Sequence, residues 1–207
     1  ELMKNLEMLV QSGKVQYIAI SDSPAWRVSQ ANTLAELKGW TSFAGLQVEY
    51  SLIQRSAERD LIPMANEFGL TITPWSPLGG GILSGKYLKG EKKGRANQGN
   101  RLTEKRLEIA QAVVDVADRI DAEPSQVAIK WMMQKHKAVI PIMGARTAKH
   151  LKSNIAVLDI TIPENEMTFL DEVSAIELGF PHDFLSILPP SKEGFIIDVK
   201  NFTFLES

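Results

Sequence analysis

A segment near residue 140 carries residue types suited to binding an anion. The mostly apolar run Ile140–Met143 ends at Gly144, and Arg146 and Thr147 follow closely. Thr147 is placed to cap a helix, whose free N–H groups and dipole attract negative charge, and a guanidinium offers paired donors to a phosphate. Residue types alone slightly favour the alternative, an ordinary helix start beside a solvated arginine.

A second segment, residues 73–87, combines an aromatic ring with glycines and a lysine. Trp75 closes an apolar run and offers a flat face on which a heteroaromatic ring can stack. Gly79–Gly81 let the backbone approach a ligand closely, and Lys86 could pair with a diphosphate or an acidic side chain. The alternative is a surface loop rich in glycine and proline over a core tryptophan, and composition does not decide between the two.

Three polar residues, Ser21, Asp22 and Gln47, stand near the ends of strand-like runs. Together they could hold a carboxamide through complementary donors and acceptors, although each taken singly is typical of a turn. Glu49 shares the strand face of Gln47, and we interpret it as a structural carboxylate buried against an arginine.

Several classes of chemistry have no support in the sequence. There is no cysteine, and the three histidines lack partners at metal-ligand spacing, so neither thiolate chemistry nor a metal site is expected. The Gly-x-Ser-x-Gly turn of a serine esterase is also missing. A net charge of -2 argues against nucleic acid as the main partner, and no apolar run reaches the length of a membrane span. A soluble, cytoplasmic protein is the default expectation.

These residues must be positioned by a repeating pattern of strands and helices. Four apolar runs predict buried strands at residues 15–20, 43–50, 70–75 and 138–143. Amphipathic spacing and end signals predict helices at about 2–13, 24–39, 57–68, 103–120, 124–135, 147–156 and 163–174. This alternation indicates a parallel sheet covered by helices, either doubly wound or closed as a barrel. No glycine-rich dinucleotide fingerprint follows the first strand, which favours the barrel.

In their order, these segments make the chain similar to the carboxyl-terminal part of the aldo-keto reductases. The matching stretches are Gly13–Asp22, Leu46–Leu52, Pro74–Tyr87 and Pro141–Asn154, with Leu170–Ala175 and Gly179–Phe184 fitting the family's closing segment. The resemblance implies strands five to eight of a (β/α)8 TIM-type barrel, an α/β half-barrel of four parallel strands with covering helices. It covers residues 1–185 and leaves a tail, 186–207, without a family counterpart.

The resemblance also implies a site for NADP(H), with which the family reduces aldehydes and ketones to alcohols. By position, the nicotinamide carboxamide would be held by Ser21, Asp22 and Gln47, and the nicotinamide ring would stack on Trp75. The diphosphate would be wrapped by Ser76, Leu78, Gly79 and Gly80, with Lys86 over it. The 2′-phosphate would bind Gly144 and Arg146, and the adenine would lie beside His150, Ser153 and Asn154. Three positions depart from the family. At the position of Asp22 the family more often has asparagine. At the position of His150 it usually has glutamine or arginine, and at the position of Ser153 it usually has an acidic residue.

The family's catalytic aspartate, tyrosine, lysine and histidine lie on its first four strands, and the resemblance implies that this chain lacks them. Only Tyr17, Tyr50 and Tyr87 are available, and none matches the position of the proton donor. Tyr87 beside Lys86 is a poor substitute, because adjacent side chains rarely share one site. Three functions therefore stay open: an aldo-keto reductase relative acting on a small carbonyl substrate, a non-catalytic nucleotide-binding or interaction module, and a repurposed half-barrel with hydrolase-type activity.

Half a barrel would leave two sheet edges and one apolar sheet face uncovered. Exposed edges and apolar patches favour association, so we expect this chain to form a homo-oligomer. The tail contains two strand-like runs, Phe195–Val199 and Phe202–Leu205, which could cover an open edge or could have no role.

Overall fold

The structure is a computed structural model that describes residues 1–90 and 101–187. The chain divides into two compact units, Glu1–Ile176 and Glu177–Ser207. The strand-like runs predicted in the tail lie outside the described residues, so they stay predictions. None of the described helices is both long enough and apolar enough to cross a membrane.

Strands and helices alternate through the first unit. The strands are β1 (Ile18–Ser21), β2 (Phe43–Glu49) and β3 (Thr71–Trp75), and the α-helices are α1 (Leu2–Gln11), α2 (Ala25–Lys38), α3 (Leu61–Glu67), α4 (Glu104–Arg119), α5 (Pro124–Lys135), α6 (Ala148–Ile155) and α7 (Glu164–Val173). Short 3-10 helices span Ser56–Glu58, Gly79–Ser84 and Ala156–Leu158, and α8 (His182–Ser186) belongs to the second unit. The predicted helices are therefore present, with ends shifted by a few residues and the one predicted at 57–68 split.

Side chains at the helix ends explain several of these boundaries. Thr103 and Thr147 accept a hydrogen bond from the backbone N–H three residues on, which caps α4 and α6. Glu123 and Gln126 form a capping box at the start of α5. Gly39 adopts a left-handed conformation that ends α2. These are local signals, and the sequence alone was sufficient to locate most of these ends.

The sheet is parallel, in the order β1-β2-β3. It has three strands among the described residues, so the prediction of a fourth strand at residues 138–143 is corrected. The backbone N–H of Ile72 donates to Ala138 O at 2.7 Å, Ile140 N–H donates to Ile72 O at 2.9 Å, and Ile142 N–H donates to Pro74 O at 2.8 Å. The segment 138–142 thus runs beside β3 but forms only an isolated bridge. The physical reason is Pro74, which has no N–H to donate back and so interrupts the ladder.

Within residues 1–90 and 101–187, helices cover one face of the sheet, and side chains on the other face stay partly exposed. Leu46, Val48 and Ile72 are almost fully buried and pack in one core with side chains from α2, α3, α4 and α5. Residues of the opposite parity, including Gln47 and Trp75, are only half-buried. A strand alternates its side chains between faces, so the polar residues singled out in the sequence lie on the partly exposed face.

Candidate functional site

Strand register brings the predicted carboxamide residues to one edge of the sheet. Ser21 is paired with Gln47 across β1 and β2, and Glu49 is paired with Trp75 across β2 and β3. The N–H of Asp22 donates to the Gln47 carbonyl at 3.2 Å and extends this pairing past the end of β1. The carboxyl ends of all three strands therefore lie at one edge of the sheet, with Ser21 level with Gln47 and Trp75 two residues further along, level with Glu49.

A side-chain hydrogen bond joins the outer two strand ends. The indole Nε1–H of Trp75 donates to Asp22 Oδ1 at 3.2 Å. The backbone turns sharply at both ends, with φ of 47° at Asp22 and 59° at Ser76. Left-handed conformations cost a residue with a side chain about 1–2 kcal/mol, so the fold holds two strained turns at the same edge. Such outliers are concentrated at functional sites.

A cavity of about 450 Å³ opens beside this edge. Its lining residues are Asp22, Val48, Glu49, Gln54, Ser56, Ala57, Arg59, Asp60, Leu61 and Trp75. Three carboxylates face one guanidinium there, so the lining has a negative balance. The expectation that Glu49 is buried against an arginine is wrong. Glu49 is half-buried at the cavity and forms no ion pair with another described residue. The buried arginine of this region, Arg55, pairs with Glu58 instead.

The glycine-rich loop after β3 folds closely against its neighbours. Gly79 has a φ of 55°, and a Cβ built there would lie 2.1 Å from Ile53 Cδ1, so any other residue would strain the backbone and displace the Ile53 side chain. A Cβ built at Gly81 would lie 3.0 Å from Lys86 Cε, which places the lysine stem against the loop. Gly80 also has a positive φ of 70°.

The loop is anchored by apolar residues rather than by polar contacts alone. Ile82 and Tyr87 are buried with Ala110 of α4 in a small separate core, and Leu78 packs against the main core. The half-buried Ser76 stands where the loop leaves β3. This anchoring holds the backbone of the loop in a fixed place next to Trp75.

The predicted phosphate and adenine residues lie beyond the segment that runs beside β3. Because Ile142 bonds to Pro74, the chain reaches Gly144 and Arg146 at the same edge of the sheet as Trp75. Gly144, Arg146 and His150 are exposed, and Ser153 and Asn154 are half-buried on α6. Thr147 accepts the backbone N–H of His150 at 3.2 Å, while the first N–H groups of α6 have no carbonyl partner within the helix.

A buried polar network behind the site was not predicted. Tyr50 donates to Glu58 Oε1 at 2.6 Å and lies 3.0 Å from His136 Nε2, while Arg55 binds both Glu58 oxygens and the Ser174 hydroxyl. Since the single Tyr50 proton goes to Glu58, His136 donates from Nε2. The sequence signal was the spacing of Arg55 and Glu58, three residues apart, with Arg55 just before the short 3-10 helix that Glu58 ends.

Burial sets the protonation of this network. Burial, with the Glu58 carboxylate next, raises the pKa of Tyr50 above its usual range. Burial also lowers the pKa of His136. Both groups are therefore held neutral at pH 7, and the hydroxyl of Tyr50 serves as a structural donor.

Comparison with known proteins decides the family. The model of the Aldo/keto reductase family matches residues 1–175, most of the chain and all three strands. The chain belongs to this family. The matched residues include the sheet edge, the glycine-rich loop and α6, which are the parts of the site described above.

Several named proteins are similar to this reductase-family chain. "Probable aryl-alcohol dehydrogenase AAD4" of Saccharomyces cerevisiae is 37% identical over 193 residues, covering 89% of this chain and 58% of that protein. "Aryl-alcohol dehydrogenase [NADP(+)]" of Phanerodontia chrysosporium is 35% identical over 192 residues, covering 88% and 50%. The chain thus spans only about half the length of these relatives.

A solved structure supports the fold. A thermostable aldo-keto reductase in complex with the inhibitor epalrestat matches 83% of this chain and 53% of its own, with a TM-score of 0.64 and 23% sequence identity. The parallel α/β architecture expected from the sequence is confirmed at this level.

The described residues also bear on the excluded chemistries. Residues 1–90 and 101–187 contain no group of three or more histidines and carboxylates that could hold a metal ion. Over the same residues, no serine hydroxyl bonds to a histidine ring. These observations add no support to the hydrolase alternative.

Proposed function

We propose that this chain forms the NADP(H)-binding part of an oxidoreductase that interconverts a small carbonyl compound and its alcohol. The observation that carries the proposal is the common edge of the sheet. It gathers Ser21, Gln47 and Trp75 at the strand ends, beside a tightly folded glycine loop and next to the start of α6. The name of the Phanerodontia relative includes NADP(+), which agrees with this cofactor.

The residues present fit a phosphorylated dinucleotide. Ser21 and Gln47 provide a hydroxyl and an amide for the carboxamide, and the indole of Trp75 offers a stacking face at the cavity. The close packing at Gly79 and Gly81 leaves backbone, not side chain, exposed to a diphosphate, with Lys86 lying alongside. Arg146 and the free N–H groups of α6 suit a 2′-phosphate. When bound, the dinucleotide would supply the hydride.

We further infer that the proton for the reaction comes from residues outside this chain. A catalytic tyrosine needs a hydroxyl that faces the substrate and a pKa near the working pH. Tyr50 is committed to Glu58 and has its pKa raised by burial, and Tyr87 is buried in the loop core with Lys86 Nζ 4.9 Å from its ring centroid, over the face of the ring. Tyr17 is exposed just before β1, at the opposite end of the strand from the site.

A fluorescence titration with NADPH tests the proposal. Binding should quench Trp75, and Trp75→Phe should abolish that quenching, whereas Trp40→Phe, remote from the site, should preserve it. Arg146→Ala should weaken NADPH binding about tenfold, the size expected of a charge-assisted bond to phosphate, and should leave NAD binding unchanged. The exposed Lys38→Ala is the charge control. Unaltered NADPH affinity in Arg146→Ala would remove the phosphate role.

Turnover separates the enzyme from the binding module. A chain that binds NADPH but does not consume it with a simple aromatic aldehyde would behave as the non-catalytic module, in agreement with the inference about the proton donor. Consumption of NADPH would contradict that inference. Absence of any NADPH binding would end the proposal as a whole.

Self-association stays a prediction, supported by the exposure of apolar side chains along the sheet. Tyr17 is 78% exposed before β1, and Ile140 and Ile142, in the segment beside β3, are 63% and 44% exposed. A second copy that covered this face would bury them. Light scattering on the purified chain checks the point, and a well-folded monomer across the concentration range would contradict it.

A further inference from the structure

The hydrogen bond between Asp22 and Trp75 spans the sheet rather than joining neighbours. β1 and β3 are separated by β2, so the bond bridges two strand spacings of about 4.8 Å each. It passes over the end of β2 at Val48 and Glu49, just beyond the level at which Ser21, Gln47 and Thr73 are paired. The long indole reaches across this gap and donates its only N–H to Asp22 Oδ1.

The backbone on both sides is shaped to make this contact. Asp22 and Ser76 are two of the three described residues other than glycine with a positive φ. Asp22 directly follows β1, and Ser76 directly follows Trp75 at the end of β3. Aspartate tolerates this conformation better than most residues. A carboxylate has no proton to donate to the oxygen of a ligand amide, so Asp22 could meet only the N–H side of a carboxamide, and the indole N–H already occupies part of its accepting capacity.

We propose that Asp22 is a positioning residue that fixes the orientation of the Trp75 ring as the stacking surface of the dinucleotide site. This rests on the proposed function, because the ring is useful only if a nicotinamide stacks on it. It also assigns Asp22 a different task from the family-derived one of holding the carboxamide, which is left to Ser21 and Gln47. Trp75 supplies the contact area, and Asp22 removes the ring's freedom to rotate about its two side-chain torsions.

The first measurement uses the free chain. Four tryptophans give four indole N–H signals in a 1H–15N NMR spectrum, and Trp75→Phe identifies the one that belongs to Trp75. Asp22→Ala should shift that signal toward the position of a free indole, and Asp22→Asn, which keeps an acceptor oxygen, should shift it less. Asp60→Ala removes another carboxylate from the same cavity lining and should leave the signal in place. An unmoved signal in Asp22→Ala would overturn the proposal.

The second measurement is dinucleotide affinity. Asp22→Ala should weaken NADP+ and NADPH about threefold to tenfold and equally, because an unheld ring stacks less well on either form. Asp22→Asn should stay within about twofold of the unsubstituted chain. A loss confined to NADP+ in Asp22→Asn would overturn positioning, since it would mean that the charge acts directly on the cationic ring.

A double-mutant cycle completes the test. In a Trp75→Phe background, Asp22→Ala should have no further effect on affinity, because there is no indole left to hold. A further loss would mean that Asp22 contacts the ligand itself and would overturn the proposal. If the unsubstituted chain binds neither dinucleotide while the NMR signal still responds to Asp22→Ala, the proposed function has failed, and the positioning role fails with it although the contact exists.

Discussion

Removing the guanidinium of Arg55 should destabilise this chain more than any single surface change. Arg55 is 7% exposed and Glu58 15% exposed, and Arg55 also donates to the Asp171 carbonyl and the Ser174 hydroxyl. Arg55→Leu keeps apolar volume but leaves the Glu58 carboxylate buried without its partner. Breaking a buried pair from one side costs about 3–5 kcal/mol. Because Glu58 keeps some exposure, we expect a loss of about 3 kcal/mol in the free energy of unfolding.

Urea denaturation followed by circular dichroism measures this loss. For a chain of this size, about 3 kcal/mol corresponds to a fall in Tm of roughly 6–12 °C. Lys105→Ala is the matched control, because the Lys105–Glu108 pair is also three residues apart but 58% exposed on both sides, and it should change stability by under about 0.5 kcal/mol. If Arg55→Leu does not fold, Tyr50→Phe provides the milder probe, with an expected loss of about 1.5 kcal/mol. Equal effects of Arg55→Leu and Lys105→Ala would refute the reasoning.

Three further perturbations follow from the described contacts. Asn32→Ala removes the buried amide that both donates to and accepts from the backbone of Phe43, and it should cost about 2–3 kcal/mol in urea denaturation because two backbone groups lose their partner. Gly79→Ala should lower Tm and weaken NADPH binding, because the new Cβ would collide with Ile53. His136 should make stability depend on pH. Burial lowers its folded pKa below the ordinary 6.5, so its contribution is complete above about pH 6.5 and is lost as the pH falls through the folded pKa.

Each of these has a control in the same chain. Asn32→Asp keeps the acceptor for the Phe43 N–H but sets a buried carboxylate oxygen against the Phe43 carbonyl, so it should cost at least as much as Asn32→Ala at neutral pH, and a smaller loss would contradict the argument. Gly13→Ala meets the same positive φ but no atom within 4 Å, so it should cost only the backbone strain, and an equal loss in both glycine variants would contradict the packing argument. His136→Gln should flatten the acid side of the stability profile, and an unchanged profile would show that another group titrates there.

The amino-acid sequence was sufficient for the local features of this fold. Apolar patterning and end signals, which act over a few residues, were enough to predict the strand-like runs 15–20, 43–50 and 70–75 and the capped helix after Arg146. Because parallel strands carry their carboxyl ends to one edge, the sequence was also enough to predict that Ser21, Gln47 and Trp75 would lie at the same edge of the sheet, and the register places Ser21 level with Gln47 and Trp75 level with Glu49 there.

Contacts between distant residues were decided only by the tertiary structure. Which carboxylate pairs with Arg55 could not be read from strand parity, because the answer, Glu58 rather than Glu49, depends on how the chain turns after β2. The prediction of a fourth strand at residues 138–143 was wrong because Pro74, on the neighbouring strand β3, has no N–H to donate to that segment. Asp22 and Trp75 are 53 residues apart, and their bond exists because two left-handed turns and the strand register bring them to the same place.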